Sequence, residues 1–517
     1  MTWNDHWQEC ADFCLPQKAN ITQSRVAGTK LKTDIFDGTA VSALPIFSAG
    51  LHSYLTNPTS RWFAMRMRNK RLMDIFEVRD WLSECEEVLF DYYNASNFNE
   101  VVPEWYVDLG AFGNSCLYED YDEASGNLVF NVRPMSEIFF LVNSVGMIDT
   151  VYRKFIFTAR QAYQEWGDNV GSEVKDKLEA GEVEYPIPFL HVVFPREERT
   201  AGKRDAVNMP YVSMYIEPKR KKVLQEGGYE DFPYFIPRFY KTSDSEYAYG
   251  PASIALSDVK MLNKMSRTTV EGAEKKIHPP IVLPNDGYLM PFKTSAKAIN
   301  YKISGSADDR VEVLNMVGDV GLGLEMENQR RQKIERDFFV DLFLMLGSLP
   351  DKARTATEIV ERVNERMLIL GPALGRLMNV LSSNVTRSFN LLYRAGKLPQ
   401  VPEILQGQSY KIDFISPLAK AQRAAESKSI TDLLLIVGEM SKFDPQVMDN
   451  IDTDKVVKRL SGIMDTPTDI LRSDEEKAGI RQSRAQQAQM AQELEMLKTG
   501  GEGAKTMMEA EKIAKEA

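Results

Sequence analysis

At 517 residues, with 26% charged and 43% apolar side chains, the chain has the balance of a folded protein with several domains and a large buried core. Its net charge of -11 excludes a protein that grips duplex nucleic acid through a broadly basic surface, because that grip needs clustered Lys and Arg. The four cysteines, Cys10, Cys14, Cys85 and Cys116, show neither C-x-x-C nor metal-ligand spacing, which predicts buried free thiols in a reducing compartment.

Residues 1 to about 112 read as helices, starting with Thr2 to Leu15, with Thr2, Asp34 or Asp37, and Asp74 as candidate caps. No basic region followed by an apolar run opens the chain, so no signal peptide is expected. From Ser115 to Phe157 the period becomes that of strands. Leu117-Tyr118-Glu119 and Leu128 to Val132 flank a turn at Ala124-Ser125-Gly126-Asn127, and further strands are predicted over Ile138 to Val142 and Thr150 to Phe157. Thr158-Ala159-Arg160-Gln161 then opens a helix. Residues 185 to 245 are rich in aromatics, with strands near His191 to Phe194 and Tyr211 to Ile216.

Two helical stretches of similar length follow, Pro251 to Ile277 and Leu322 to Leu346. Gly250 can cap the first, Pro251 suits the first helical position, and His278-Pro279-Pro280 stops it. At 1.5 Å per residue it would be roughly 40 Å long. Its polar surface carries Lys260, Lys264 and Arg267. The second stretch carries Arg330, Arg331 and Lys333 within a charged half, Glu325 to Asp337, that is either a solvated face or a lace to a neighbouring helix. Its other half, Phe338 to Leu346, is apolar and predicted to be buried, and far too short to span a bilayer.

The segment between the two reads as short strands at Ile281-Val282-Leu283, Ile299 to Ile303 and Val311 to Leu314. Gly347 and Pro350 end the second stretch. A loop, Gly347 to Arg354, leads to a capping box at Thr355-Ala356-Thr357-Glu358 and a long helix with a kink expected at Gly371-Pro372. Helix resumes after Pro417. Beyond Ser473 the chain is rich in Ala, Gln, Glu and Lys and predicts a solvated helix or a partly disordered tail.

No catalytic constellation stands out. Phosphate-loop, nucleophile-elbow and H-E-x-x-H patterns are absent, and His6, His52, His191 and His278 lack ligand spacing, so neither an enzyme nor a cofactor is predicted. The best metal candidate is Glu119, Asp120, Asp122 and Glu123, which a metal-dependent nuclease could use; at a hairpin tip such residues read more simply as solvated turn acids.

Several segments resemble the portal, or head-to-tail connector, proteins of short-tailed bacteriophages. They are Ile35-Phe36-Asp37-Gly38-Thr39-Ala40, Gly50-Leu51-His52-Ser53-Tyr54-Leu55-Thr56, Trp62-Phe63, Ser96-Asn97-Phe98 and Phe112-Gly113-Asn114. Arg133-Pro134 with Glu137, Thr158 to Gln161, Tyr249-Gly250-Pro251 and Thr355 to Glu358 follow in the expected order. The resemblance implies an α+β, mainly helical subunit that assembles as a homo-oligomer, a dodecameric ring around double-stranded DNA at one capsid vertex. It implies a wing (1–250 and 357–417), stem helices (251–277 and 322–346), a clip (278–321), a channel loop (347–356) and a helical crown and tail (418–517).

Implied partners are the terminase large subunit, a tail adaptor, and capsid and scaffolding proteins, with assembly in the host bacterial cytoplasm and no membrane. The channel-loop residues expected to face DNA are Gly347, Ser348, Leu349, Lys352 and Arg354, and the six cations above are assigned to the stem. A virion adaptor without a DNA channel is the alternative reading, the nuclease a third.

Overall fold

Thr2 starts the first helix with a capping box: its hydroxyl accepts from the Asp5 N–H, and the Asp5 carboxylate accepts from the Thr2 N–H. The computed structural model describes residues 2–23, 28–29, 34–200, 203, 205–278, 281–282, 312–313, 320–347, 356–405, 407, 410–413, 417–463, 472, 476–487 and 489–490. They form two compact units, one of residues 1–63, 89–395 and 414–418, the other of 64–88, 396–413 and 419–517. The architecture is α+β and mainly helical.

In chain order, α1 (Trp3–Cys14) and α2 (Thr39–Leu55) precede β1 (Ala64–Met67), α3 (Phe76–Ala95) and α4 (Phe98–Phe112). Strands β2 (Cys116–Asp122), β3 (Asn127–Arg133), β4 (Ile138–Val142) and β5 (Ile148–Thr158) lead to α5 (Ala159–Trp166) and α6 (Ser172–Glu179). Then come β6 (Pro186–Pro195), β7 (Tyr211–Glu217), β8 (Lys222–Tyr229), and the two-residue strands β9 (Tyr234–Phe235), β10 (Tyr240–Lys241) and β11 (Ala248–Tyr249). Next are α7 (Pro251–Ile277), β12 (Ile281–Val282), β13 (Glu312–Val313), α8 (Val320–Asp337), α9 (Val340–Gly347) and α10 (Ala356–Arg394). β14 (Tyr410–Asp413), α11 (Pro417–Met440) and α12 (Thr453–Ile463) complete the series.

In the first unit β4 to β8 make an antiparallel meander in chain order, and β3-β2-β9 make a smaller sheet. The β2–β3 turn is set by Asp122, whose carboxylate accepts the Ala124 and Ser125 N–H groups, and by Gly126 at φ 69°. The helix expected to open at Thr158 does so, and Thr158 and Gln161 close a capping box before α5. The main core joins Trp7 and Cys14 of α1, Leu44 of α2, Phe112 of α4 and Val259 and Leu262 of α7 to the inner face of the sheet. A satellite core gathers Phe155 and Phe189 under Trp166 of α5 and Val174 of α6. All four cysteines are buried and free.

The second unit holds what periodicity does not reveal. β1 pairs antiparallel with β14, Ala64 opposite Asp413 and Met67 opposite Tyr410, inside a region predicted to be helical. Four residues are too few to show a period, and their partner lies far along the chain. Trp81 Nε1 donates to the Pro399 carbonyl at 3.1 Å, and Arg481 makes a bidentate pair with Asp454 at 2.6 and 2.7 Å. No helix among the described residues is long and apolar enough to cross a membrane.

Candidate functional site: the charge-laced helix pair

The 27 residues of α7 keep the ends expected of them. Gly250 is the N-cap, Pro251 the first helical residue, and the His278 N–H closes the helix on the Glu274 carbonyl at 2.7 Å. Gly250 is required by contact: a Cβ there would lie 2.7 Å from both the Gly110 carbonyl oxygen and the Gly113 nitrogen. One stripe, Ala252, Ala255, Leu256, Val259 and Leu262, is buried. Length follows from the rise per residue, about 40 Å.

The return helix pairs with it through charge. Asp258 accepts from Arg330 Nη1 at 2.7 Å and from Lys333 Nζ at 2.5 Å. Further along, Glu327 is buried and accepts from Ser266 at 3.2 Å, Thr269 at 2.6 Å and Arg331 Nη2 at 2.9 Å. Position 258 thus meets 330 and 333 while 266 and 269 meet 327, which makes the pair antiparallel. Within the charged half of α8, Arg330 and Lys333 therefore lace to a neighbouring helix, while Glu325, Gln329 and Arg336 stay exposed. That neighbour is α7 of the same chain.

A strap holds both helices. The Phe36 N–H donates to Asn263 Oδ1 at 2.7 Å, Asn263 Nδ2 donates to the Asp34 carbonyl at 3.1 Å, and Arg331 Nε donates to Asp37 Oδ2 at 2.8 Å. Burial acts to raise the Asp37 carboxyl, but the Thr39 hydroxyl and N–H and the Arg331 guanidinium outweigh it and hold it below the usual range. Of the other predicted cations, Lys260 pairs with Glu9, Arg267 pairs with Glu271 at 2.8 Å and lies over the Phe36 ring, and Lys264 is exposed.

The second rod is not continuous. α8 ends at Asp337 and α9 begins at Val340, and between them Phe339 sits at φ 58°. The reason is packing. Bending there buries Phe338, Val340, Leu342 and Phe343, and sets the Phe343 ring against Gly50 of α2, where a Cβ would lie 2.2 Å from the ring carbons. Phe343 also meets Phe47 edge-on at 6.1 Å between centroids.

The family model for the bacteriophage head to tail connecting protein matches residues 1–471. The chain belongs to the bacteriophage head-to-tail connecting protein family. It is 30% identical over 520 residues to the portal protein of Salmonella phage epsilon15, covering 99% of this chain and 93% of that protein. To the probable portal protein of Bordetella phage BPP-1 it is 29% identical over 511 residues, covering 97% and 92%.

In this connector the segment Ile35 to Ala40, which carried part of the resemblance, includes the Phe36 and Asp37 of the helix strap. Sequence reading offered Asp37 as a helix cap; its bond to Arg331 joins residues 294 apart, and no local pattern signals that. The candidate channel-loop residues Ser348, Leu349, Lys352 and Arg354 and the Thr355 cap lie outside the described residues, while Gly347 closes α9. Of the segment 278–321, β12 pairs with β13, Ile281 opposite Val313, in line with two of its predicted strands, and the third lies outside the described residues.

The acidic group does not gather. Glu119 lies mid-strand and fully buried rather than at the hairpin tip, because side chains alternate along β2 and its face packs against α10. Its carboxyl accepts from Ser388 Oγ at 2.5 Å and from Asn384 Nδ2 at 2.8 Å, and Tyr93 completes the node through Ser388 and Asn384 at 2.7 and 2.9 Å. Burial pushes the Glu119 carboxyl up to about 8 against the pull of Arg387 and Ser388. Asp120 binds the Tyr118 hydroxyl at 2.8 Å, and Asp122 holds the turn. Among the described residues no group of His, Cys, Asp and Glu is placed to hold a metal ion. His191, also buried, stacks on Tyr215 and bonds Tyr234 and Ser213 at 2.7 and 3.0 Å.

Proposed function

We propose that copies of this chain close into a ring, a dodecamer, that conducts double-stranded DNA through a capsid vertex during packaging and ejection. The observation that carries it is the long antiparallel pair α7–α8, laced within one chain, in a protein whose family match covers residues 1–471. Repeated around an axis, such pairs make a stiff tube from a closed heterologous interface. Arg330, Arg331 and Lys333 are tied to Asp258, Asp37 and Glu327, which neutralises that part of the stem toward phosphates. DNA then slides rather than sticks.

On this reading 278–321 is the clip that docks the terminase large subunit and later a tail adaptor. Residues 347–356 form the channel loop with Lys352 and Arg354 facing DNA, 1–250 and 357–417 form the wing, and 418–517 the crown. Capsid and scaffolding proteins are the remaining partners, the role is structural rather than catalytic, and assembly takes place in the host cytoplasm.

Native mass measurement with negative-stain imaging tests the ring: closed particles with a central hole are expected, and a monomer under assembly conditions overturns the proposal. Particles carrying Lys352→Glu with Arg354→Glu are expected to retain packaged DNA less well than wild type, and unchanged retention removes the loop assignment.

A further inference from the structure

The break between α8 and α9 has no local cause. No Gly or Pro stands between Leu324 and Leu346, and the apolar and charged residues there suit one continuous helix. Yet Phe339 holds φ 58°, a conformation that clashes with its own Cβ and is uncommon for a bulky side chain. Its carbonyl accepts from the Leu342 and Phe343 N–H groups at 3.1 and 3.2 Å, so Phe339 caps the new helix, while its own N–H turns back to Arg336 at 3.0 Å. Local preference favours a straight rod, and what opposes it is the burial of Leu342 and Phe343 and the seat of the Phe343 ring on Gly50.

We propose that the α8–α9 junction is a two-state hinge. In the bent state Phe339 is left-handed and α9 lies on α2. In the other state Phe339 turns helical, α8 and α9 fuse into one rod, and α9 lifts off Gly50. The balance is set by two residues acting in opposite directions. Glycine at 339 removes the left-handed penalty and weakens the continuous helix, so it favours the bend. A methyl group at Gly50 occupies the space of the Phe343 ring, so it favours the straight rod. The hinge belongs to the single chain and does not depend on the ring.

The test is a distance distribution between nitroxides at Ser53→Cys on α2 and Leu344→Cys on α9, both exposed positions in a full-length chain whose own four cysteines are buried. Wild type is expected to show a major short and a minor long distance. Phe339→Gly should lower the long fraction about tenfold, as removal of one left-handed Cβ clash implies, and Gly50→Ala should raise it. Should Gly50→Ala fail to fold, Phe343→Ala removes the same seat without adding an atom and is expected to act likewise. One unchanged short distance in wild type and in every folded variant overturns the hinge, as do shifts of the same sign in Phe339→Gly and Gly50→Ala.

Discussion

The Asp258 end of the lace between α7 and α8 and the node around Glu119 both bind a carboxyl group to hydrogen-bond donors, but in opposite surroundings. In the lace Asp258 has 9% side-chain exposure, but its partners Arg330 and Lys333 keep 34% and 52%, so water can take over when a contact is lost. In the node Glu119, Asn384, Ser388 and Tyr93 are all essentially inaccessible, and nothing replaces a missing partner. Partly exposed pairs set register between two rods at little cost to stability. The buried set locks α10 to β2 and tolerates no vacancy.

The largest effect is expected in the node. Glu119→Leu leaves the Asn384 amide and Ser388 hydroxyl without their acceptor, and urea unfolding should show a loss of about 2–3 kcal/mol. A loss of about 1 kcal/mol or less would place the node in the same class as the lace.

The pH profile sharpens the contrast. Glu119 holds its proton more tightly when folded, at about 8 against an ordinary 4.5, so its contribution is full below 4.5 and is lost as pH rises through about 8. His191 is opposite: burial first, then Arg153 and Arg133, lower it from 6.5 to about 3, so stability is lost as pH falls below 6.5. Glu119→Gln should flatten the alkaline limb of a stability–pH curve, and His191→Gln the acid limb. Wild-type limbs that survive both changes would break this account.

Smaller changes are expected in the lace. Asp258→Ala should cost about 1 kcal/mol, because both cations rehydrate, and the cost should shrink in high salt. Smallest of all, Arg267→Ala removes a largely exposed pair with Glu271, and the melting temperature should not move measurably.

Much of the fold was legible where a short stretch contains its own reasons. The cap at Thr2, the helix start at Thr158, the Gly126 turn and both ends of α7 were each placed by neighbouring residues, since caps, prolines and turn glycines act over four residues or fewer. The helix pair was legible as two elements but not as a laced site. Nothing near Asp258 announces Arg330, and nothing near Asp37 announces Arg331.

By itself the sequence determined the ends of α7, the strands β2 to β7, their order and the membership of the connector family, because these rest on period, caps and motif order. The tertiary structure alone decided that Glu119 is interior rather than at a turn, that β1 finds β14, and that the second rod bends at Phe339. In each case the deciding contact joins residues distant in the chain, and burial against that remote partner outweighed the local preference.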